Sequence, residues 1–216
     1  MNMAEYKKVK DMTYREYCQY LQNKYGIGRA DYMRASFTPN PKCSRTSDGL
    51  YAHHLMEDHA IKLSKPEVAK NHPFEWQKKE SIVYCDALEH LFLHVLIGCF
   101  PAPGHEDDLL GILGASAFLI PELNDVYSGW KSKLKWQQNC HNLVRNDKAV
   151  YLKILARFAV IYGIRVGLSP KLILQKLCIS TAAKYGSWSE DFNSQLYIEI
   201  MQIRYHLDYD FKYIKI

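Results

Sequence analysis

Apolar positions along the chain recur mostly at helical intervals. Between residues 12 and 25 the large side chains stand three or four positions apart: Tyr14, Tyr17, Cys18 and Leu21. Gly26 follows at the position where a helix would end. The same spacing predicts helices over residues 107–119, 122–127, 134–145, 149–166, 170–184 and 191–207. Most of the chain is therefore expected to be helical.

Two short segments depart from this spacing. Residues 49–54 and 82–85 are typical of strands that pair antiparallel, and a long polar connection with room for a short helix over residues 66–70 joins them. Asp86 and Glu89 then form a capping pair, and the apolar run behind them predicts a helix that ends at Gly98. The expected fold class is α+β and mostly helical.

The chain is expected to have two parts. Residues 1–100 would contain the N-terminal helix, a basic loop over residues 28–48 and the unit of hairpin and helix. Residues 101–216 would form a C-terminal helical bundle whose role the sequence does not indicate. Two of its helices, over residues 149–166 and 170–184, resemble a helix-turn-helix in outline. The second of them is strongly apolar, which suits a bundle core better than a DNA groove.

Composition narrows the class of protein without identifying it. The chain has 216 residues, 48% of them hydrophobic and 24% charged, which is typical of a globular protein. Its six cysteines form no Cys-x-x-Cys pair, which favours free thiols in a reducing cytoplasm. No signal peptide is indicated, and glycines interrupt the longest apolar stretch, so we expect no membrane span. The net charge of +5 permits binding to a polyanion but does not demand it.

Six of the nine histidines lie between residues 53 and 94. His53 and His54 are neighbours at a strand end, so one can face a metal while the other faces a substrate. His90 and His94 are four positions apart, which places both imidazoles on one helix face where they could share an ion. A single buried histidine is more often an inert core residue than a ligand. The order of strand, His-His, basic loop, strand, capped helix and His-x-x-x-His nevertheless favours a metal site.

This arrangement resembles the HNH, or His-Me finger, nucleases over about residues 43–97. In that family a β-hairpin and the following helix clamp one divalent ion against the scissile phosphate, and in the nuclease colicins the motif opens with His-His and closes with His-x-x-x-His. The run over residues 44–54, together with Ile82-Val83-Tyr84-Cys85 and Glu89-His90, is also similar to small HNH-like proteins of Gram-positive bacteria and their phages. The resemblance implies a ββα-metal finger with His53, His90 and His94 as ligands and His54 as the general base.

One position departs from the family pattern. The asparagine that begins the second strand and braces the hairpin loop is replaced here by Ser81. A serine hydroxyl can both donate and accept a hydrogen bond, so it could still brace the loop. We expect the substitution to affect activity more than the fold.

The resemblance implies hydrolysis of DNA phosphodiester bonds with one divalent ion. Three imidazoles favour Zn²⁺ as the bound ion, while Mg²⁺, Mn²⁺ or Ni²⁺ could serve in catalysis. The basic residues expected to contact phosphates are Arg45, Lys62, Lys65, Lys78 and Lys79. The competing interpretation of these residues is a solvated charged loop. Glu57 and Asp58 could orient a histidine through a hydrogen bond, or they could simply be surface carboxylates.

Three functions remain open at this point. The first is a DNA endonuclease, related to phages or to defence against them. The second is an HNH-derived binding protein that has lost turnover, such as an inhibitor of a host defence complex, with a protein partner bound through the helical half. The third is a structural adaptor stapled by zinc.

Overall fold

In the part of the chain that the structure describes, most residues are helical and one two-stranded antiparallel sheet accompanies the helices. The computed structural model describes the backbone of residues 1–184 and 190–206 and the side chains of residues 1–177 and 194–203. The elements in chain order are α1 (Met3–Val9), α2 (Tyr14–Tyr25), β1 (Tyr51–His54), α3 (Pro66–Ala69), β2 (Ile82–Cys85), α4 (Ala87–Cys99), α5 (Ile112–Gly114), α6 (Ile120–Tyr127), α7 (Lys135–Val144), α8 (Lys148–Val166), α9 (Pro170–Lys184) and α10 (Glu190–His206). The predicted α+β class is confirmed at this level, and the last predicted helix reaches residue 207, which lies outside the described range.

Helix α1 was not predicted from the sequence. The side chain of Asn2 accepts a hydrogen bond from the backbone nitrogen of Glu5 at 3.0 Å and caps the helix, and Tyr6 and Val9 are its buried residues. A helix of seven residues with few apolar positions gives only a weak periodic signal in the sequence. Its stability comes from packing against the core. The prediction for α2 is confirmed in type and nearly in length.

The hairpin is antiparallel, as predicted. Tyr51 lies opposite Cys85 and His54 lies opposite Ile82. Strand β1 begins two residues later than predicted, because Gly49 has a φ of 80° and ends a short 3-10 turn. The connection between the strands contains α3 and two further 3-10 turns over Phe74–Gln77 and Lys79–Ser81.

The capping box predicted for α4 is present. The Asp86 side chain accepts from the backbone nitrogen of Glu89 at 2.8 Å, and the Glu89 side chain accepts from the backbone nitrogen of Asp86 at 2.7 Å. The helix continues one residue past Gly98, where it was expected to end. A side chain at Gly98 would lie 3.2 Å from Ile161, so this glycine serves close packing against α8.

The helix predicted over residues 107–119 starts only at Ile112. Gly111 has a φ of 76°, which interrupts helical backbone before it. A π-helical turn over Ala115–Leu119 then leads directly into α6. Pro121 lacks an amide hydrogen and cannot make the usual bond back into the preceding turn, and a π turn is one way to accommodate this.

Both halves of the chain contribute to the larger hydrophobic core. Its buried residues run from Met1 to Ile200, and α4 packs against α8 near its centre. In α9 the side chains of Ile173, Leu174 and Leu177 are buried, as expected for a bundle helix. The cysteines with described side chains are free thiols. Among the described residues, no helix is both long and apolar enough to cross a membrane.

Candidate metal centre

Three histidines converge between the hairpin and helix α4. His53 comes from the end of β1, and His90 and His94 share one face of α4, with one nitrogen of each ring within 4.8 Å of the others. Zinc bound at about 2.0–2.1 Å from each nitrogen places those nitrogens about 3.3 Å apart in a tetrahedral site, so binding requires the rings to draw together. Within the described part of the chain, no second set of three histidines meets this distance.

A tyrosine hydroxyl contacts the far side of the His53 ring. The Tyr14 hydroxyl lies 2.8 Å from His53 Nε2, 3.1 Å from the carbonyl oxygen of Leu55 and 3.3 Å from that of His54. When its single hydrogen goes to a carbonyl, the hydroxyl accepts from His53, and Nε2 carries the ring hydrogen. The other ring nitrogen, Nδ1, is buried and has no hydrogen bond. In that tautomer the free lone pair of His53 is on Nδ1, which is the form that an ion bound at Nδ1 selects.

Two glycines of the helical half position His94. Its Nδ1 lies 3.1 Å from the carbonyl oxygen of Gly111, which can only accept, so Nδ1 carries the hydrogen and Nε2 carries the lone pair. A side chain on Gly114 would lie 2.6 Å from a carbon of this imidazole. The absence of a side chain at Gly114 therefore leaves the room that the His94 ring occupies.

His90 lies against a polar network on its other side. Its Nδ1 is buried without a hydrogen bond, and its ring is 5.7 Å from the ring of Tyr51. The Tyr51 hydroxyl donates to Glu122 at 2.5 Å, and the same carboxylate oxygen is 2.9 Å from His141 Nε2. This network joins α6 and α7 to the site.

A carboxylate also reaches the cluster. Glu57 Oε2 lies 3.5 Å from His53 Nδ1 and 3.5 Å from His94 Nε2. Its other oxygen lies 3.6 Å from His54 Nδ1. The Glu57 side chain is 19% exposed, whereas that of His53 is 0% exposed. The Glu57 side chain is therefore more accessible to solvent than that of His53 or of His94, which is 9% exposed.

Burial determines the charge of the three imidazoles. It lowers the pKa of His53 to about 3, despite the attraction of Glu57. It likewise lowers the pKa of His90 and of His94. Burial is the largest influence on all three rings, so the imidazoles are neutral at neutral pH and each can offer a lone pair to an ion.

His54 was expected to face a substrate, but its side chain is buried. It is 1% exposed, its ring lies 4.3 Å from that of Tyr32, and its Nε2 is 3.1 Å from Gln77 Oε1. The Gln77 amide nitrogen donates to the carbonyl of Leu63, so Gln77 Oε1 must accept from His54 Nε2. The lone pair of His54 is therefore on Nδ1, which faces Glu57.

The basic residues proposed for phosphate contact differ in availability. The Arg45 guanidinium is bonded to Asp48 at 2.9 Å and to the carbonyl of Tyr25 at 2.7 Å, and it lies over the ring of Tyr84, so it holds the loop to the strand. The four lysines are exposed: Lys62, Lys65, Lys78 and Lys79.

Ser81, the residue in the asparagine position, lies at the end of the loop. Its hydroxyl donates to the carbonyl of Glu75 at 2.7 Å. Its carbonyl accepts from the backbone nitrogen of Leu55 at 2.8 Å, which continues the pairing beyond the last pair of the hairpin. Ser81 thus connects the loop to both strands.

Sequence reasoning missed most of the residues that support the histidines. Tyr14 and Gln77 hold the rings of His53 and His54 through hydrogen bonds that span 39 and 23 positions, and no local pattern signals them. Gly111 and Gly114 were noted only as interruptions of an apolar stretch. Asp58, considered as a partner for a metal-site histidine, instead pairs with Arg15 at 2.8 Å and with His59 at 2.8 Å.

Comparison with known proteins gives no match to a protein-family model, to a curated protein or to a solved structure. The function therefore has to be argued from the geometry of the site.

Proposed function

We propose that this protein binds one divalent transition-metal ion through His53, His90 and His94 and hydrolyses DNA phosphodiester bonds as an HNH-type endonuclease. The observation that carries the proposal is the convergence of three neutral imidazoles, two of which have hydrogen-bond partners at the nitrogen that faces away from the cluster. Neutral imidazoles are the common ligands of zinc and of its neighbours in the first transition row. The order of hairpin and helix supports a ββα-metal finger.

The role proposed for each histidine follows from which of its ring nitrogens is free. His53 and His94 would hold the ion through Nδ1 and Nε2 respectively, because hydrogen bonds occupy their other nitrogens. When bound, the ion would supply a Lewis acid that neutralises charge developing on the scissile phosphate. His54, held through Nε2 by Gln77, would take a proton from water at Nδ1. The exposed lysines of the connection would contact the phosphates of the DNA strand.

The second candidate is a binding protein that has no catalytic activity and is stabilised by its metal ion. It is favoured by the burial of His54, since a general base that is 1% exposed meets water only if the surrounding loop moves. In that case the ion would stabilise the hairpin and helix as a platform for a protein partner, such as a host defence complex.

The test is cleavage of supercoiled plasmid with Mg²⁺, Mn²⁺, Co²⁺, Ni²⁺ or Zn²⁺. We expect the parent protein to nick or cut DNA with at least one ion, and His54→Gln to reduce the rate by about 100- to 10,000-fold, the usual contribution of a general base. Glutamine can still donate to Gln77, so metal content and melting temperature should stay near the parent values. His72→Gln, in the same connection, is the matched control and should cleave normally.

A parent protein that retains its ion but cuts DNA with none of the five metals contradicts the nuclease proposal. The binding protein then becomes the better candidate. A protein that takes up no transition metal at all contradicts both.

A further inference from the structure

Glu57 returns to the site through a tight turn after β1. Its backbone nitrogen donates to the carbonyl of His54 at 3.1 Å, and its Oε1 lies 3.4 Å from the backbone nitrogen of His54. This turn places the carboxylate beside the end of the strand that supplies His53. The local backbone structure therefore holds the carboxylate in this position.

The contacts of Glu57 Oε2 with the two imidazoles are too long for good hydrogen bonds. Oε2 lies 3.5 Å from His53 Nδ1 and 3.5 Å from His94 Nε2. These separations are close to the distance of about 3.3 Å between two ligands of one tetrahedral zinc ion. The oxygen is thus spaced from both nitrogens as a fellow ligand would be.

The ring nitrogens that face Glu57 are the ones that other hydrogen bonds leave free. Tyr14 contacts His53 at Nε2, and the Gly111 carbonyl accepts the hydrogen of His94 at Nδ1. His94 therefore presents a lone pair at Nε2, and His53 Nδ1 is buried without a hydrogen bond. Oε2 of Glu57 thus faces the two nitrogens that could bind an ion, at the spacing of a fellow ligand from each.

We propose that Glu57 is a fourth, anionic metal ligand, which makes the resting centre a closed site of three histidines and one glutamate. This inference rests on the metal site of the proposed function and goes further, because it assigns a ligand outside the His-His and His-x-x-x-His motifs. A carboxylate lowers the charge of a divalent centre by one. Because such a ligand would complete a four-coordinate centre, an incoming phosphate oxygen must displace it or bind beside it.

The test compares zinc and cobalt binding by the full-length parent and its variants. Zinc affinity is measured by competition with a chromophoric chelator, and the coordination geometry is read from the visible absorption of bound Co²⁺. We expect Glu57→Gln to weaken zinc binding by more than the roughly 10- to 100-fold loss that outer-shell changes cause. The strong Co²⁺ absorption of a four-coordinate site should weaken in this variant, and Glu57→Asp should partly restore it.

Glu75→Gln is the matched control, because this glutamate lies in the same connection with a side chain that is 70% exposed. It should leave affinity and absorption unchanged. If Glu57→Gln is folded by circular dichroism and binds zinc with parent affinity and an unchanged Co²⁺ spectrum, Glu57 is not a ligand although the histidine site stands. If the parent itself takes up neither ion, the proposed function and this inference fall together.

Discussion

At the scale of single residues, hydrogen-bond partners on the far side of two of the three rings determine which nitrogen is free to bind an ion. His53 and His94 use opposite nitrogens for the cluster, because Tyr14 bonds one ring at Nε2 and Gly111 bonds the other at Nδ1. Such partners orient metal-binding histidines and select their protonation. Neither partner was anticipated from the sequence, whereas the spacing of the histidines was read directly from it.

The burial of His53 predicts a pH dependence of the metal-free protein. Burial lowers its pKa to about 3, while an unfolded histidine has a pKa of about 6.5. Between these values only the unfolded state binds the proton, so acid favours unfolding, and above pH 6.5 the effect vanishes. Each such histidine contributes up to about 1.4 kcal/mol per pH unit to the loss of unfolding free energy.

We therefore expect urea unfolding in EDTA to give a shallower dependence on pH for His53→Gln than for the parent, by close to one proton between pH 6 and pH 5. The comparison of parent and variant cancels the groups they share. Glutamine can still donate to Tyr14. Equal slopes for the two proteins would mean that His53 accepts its proton in the folded state.

At the scale of elements, the segment from Gly111 to α6 lines one side of the candidate site. Its carbonyl at Gly111 bonds His94, and its backbone at Gly114 passes close to the same ring. The predicted boundary near residue 100 assigned this segment to a helical domain of unknown role. Its contacts give that half of the chain a part in positioning a metal-site histidine.

A methyl group at Gly114 should displace the His94 imidazole. The added carbon would lie 2.6 Å from the ring, and relieving such overlap costs about 1–3 kcal/mol, partly offset by the better helix propensity of alanine. We expect Gly114→Ala to weaken zinc binding by about 10-fold or more in chelator competition. Ser116→Ala, two residues further along, is the control. Parent-like affinity in Gly114→Ala would show that the ring relaxes without leaving its binding position.

At the scale of the whole molecule, the cluster joins parts of the chain that are distant in sequence. His53 belongs to the hairpin, His90 and His94 belong to the central helix α4, and the core around α4 draws on both halves of the chain. An ion held by these residues would bind the folded state and not the unfolded chain, so it would add to the unfolding free energy.

Saturating metal should raise the melting temperature of the parent. Zinc at 100 times its dissociation constant adds about 2.7 kcal/mol, which corresponds to roughly 5–10 °C for a chain of this size. His90→Ala should lose most of this increase, while His105→Ala, which removes a histidine paired with Asp108 outside the cluster, should keep it. Melting curves of the parent that coincide in zinc and in EDTA would exclude a stabilising ion.

The sequence by itself determined the features that depend on neighbouring positions. The helical class, the pairing of residues 82–85 in a hairpin, the capping box of Asp86 and Glu89 and the shared face of His90 and His94 all follow from local spacing. Helix α1 and the late start at Ile112 were missed, because tertiary packing and one left-handed glycine outweighed the local pattern.

Only the tertiary structure decided how the histidines are surrounded. In the folded chain His54 is buried against Gln77 and Tyr32, and Arg45 bonds to a backbone carbonyl and so holds a loop. Glu57 lies within 3.5 Å of His53 and His94. These contacts depend on chain segments that meet after folding, and their energies depend on burial, which no single position encodes. Periodicity fixes the face of a helix on which a side chain lies, whereas the partners across that face are set by the packing of the whole chain.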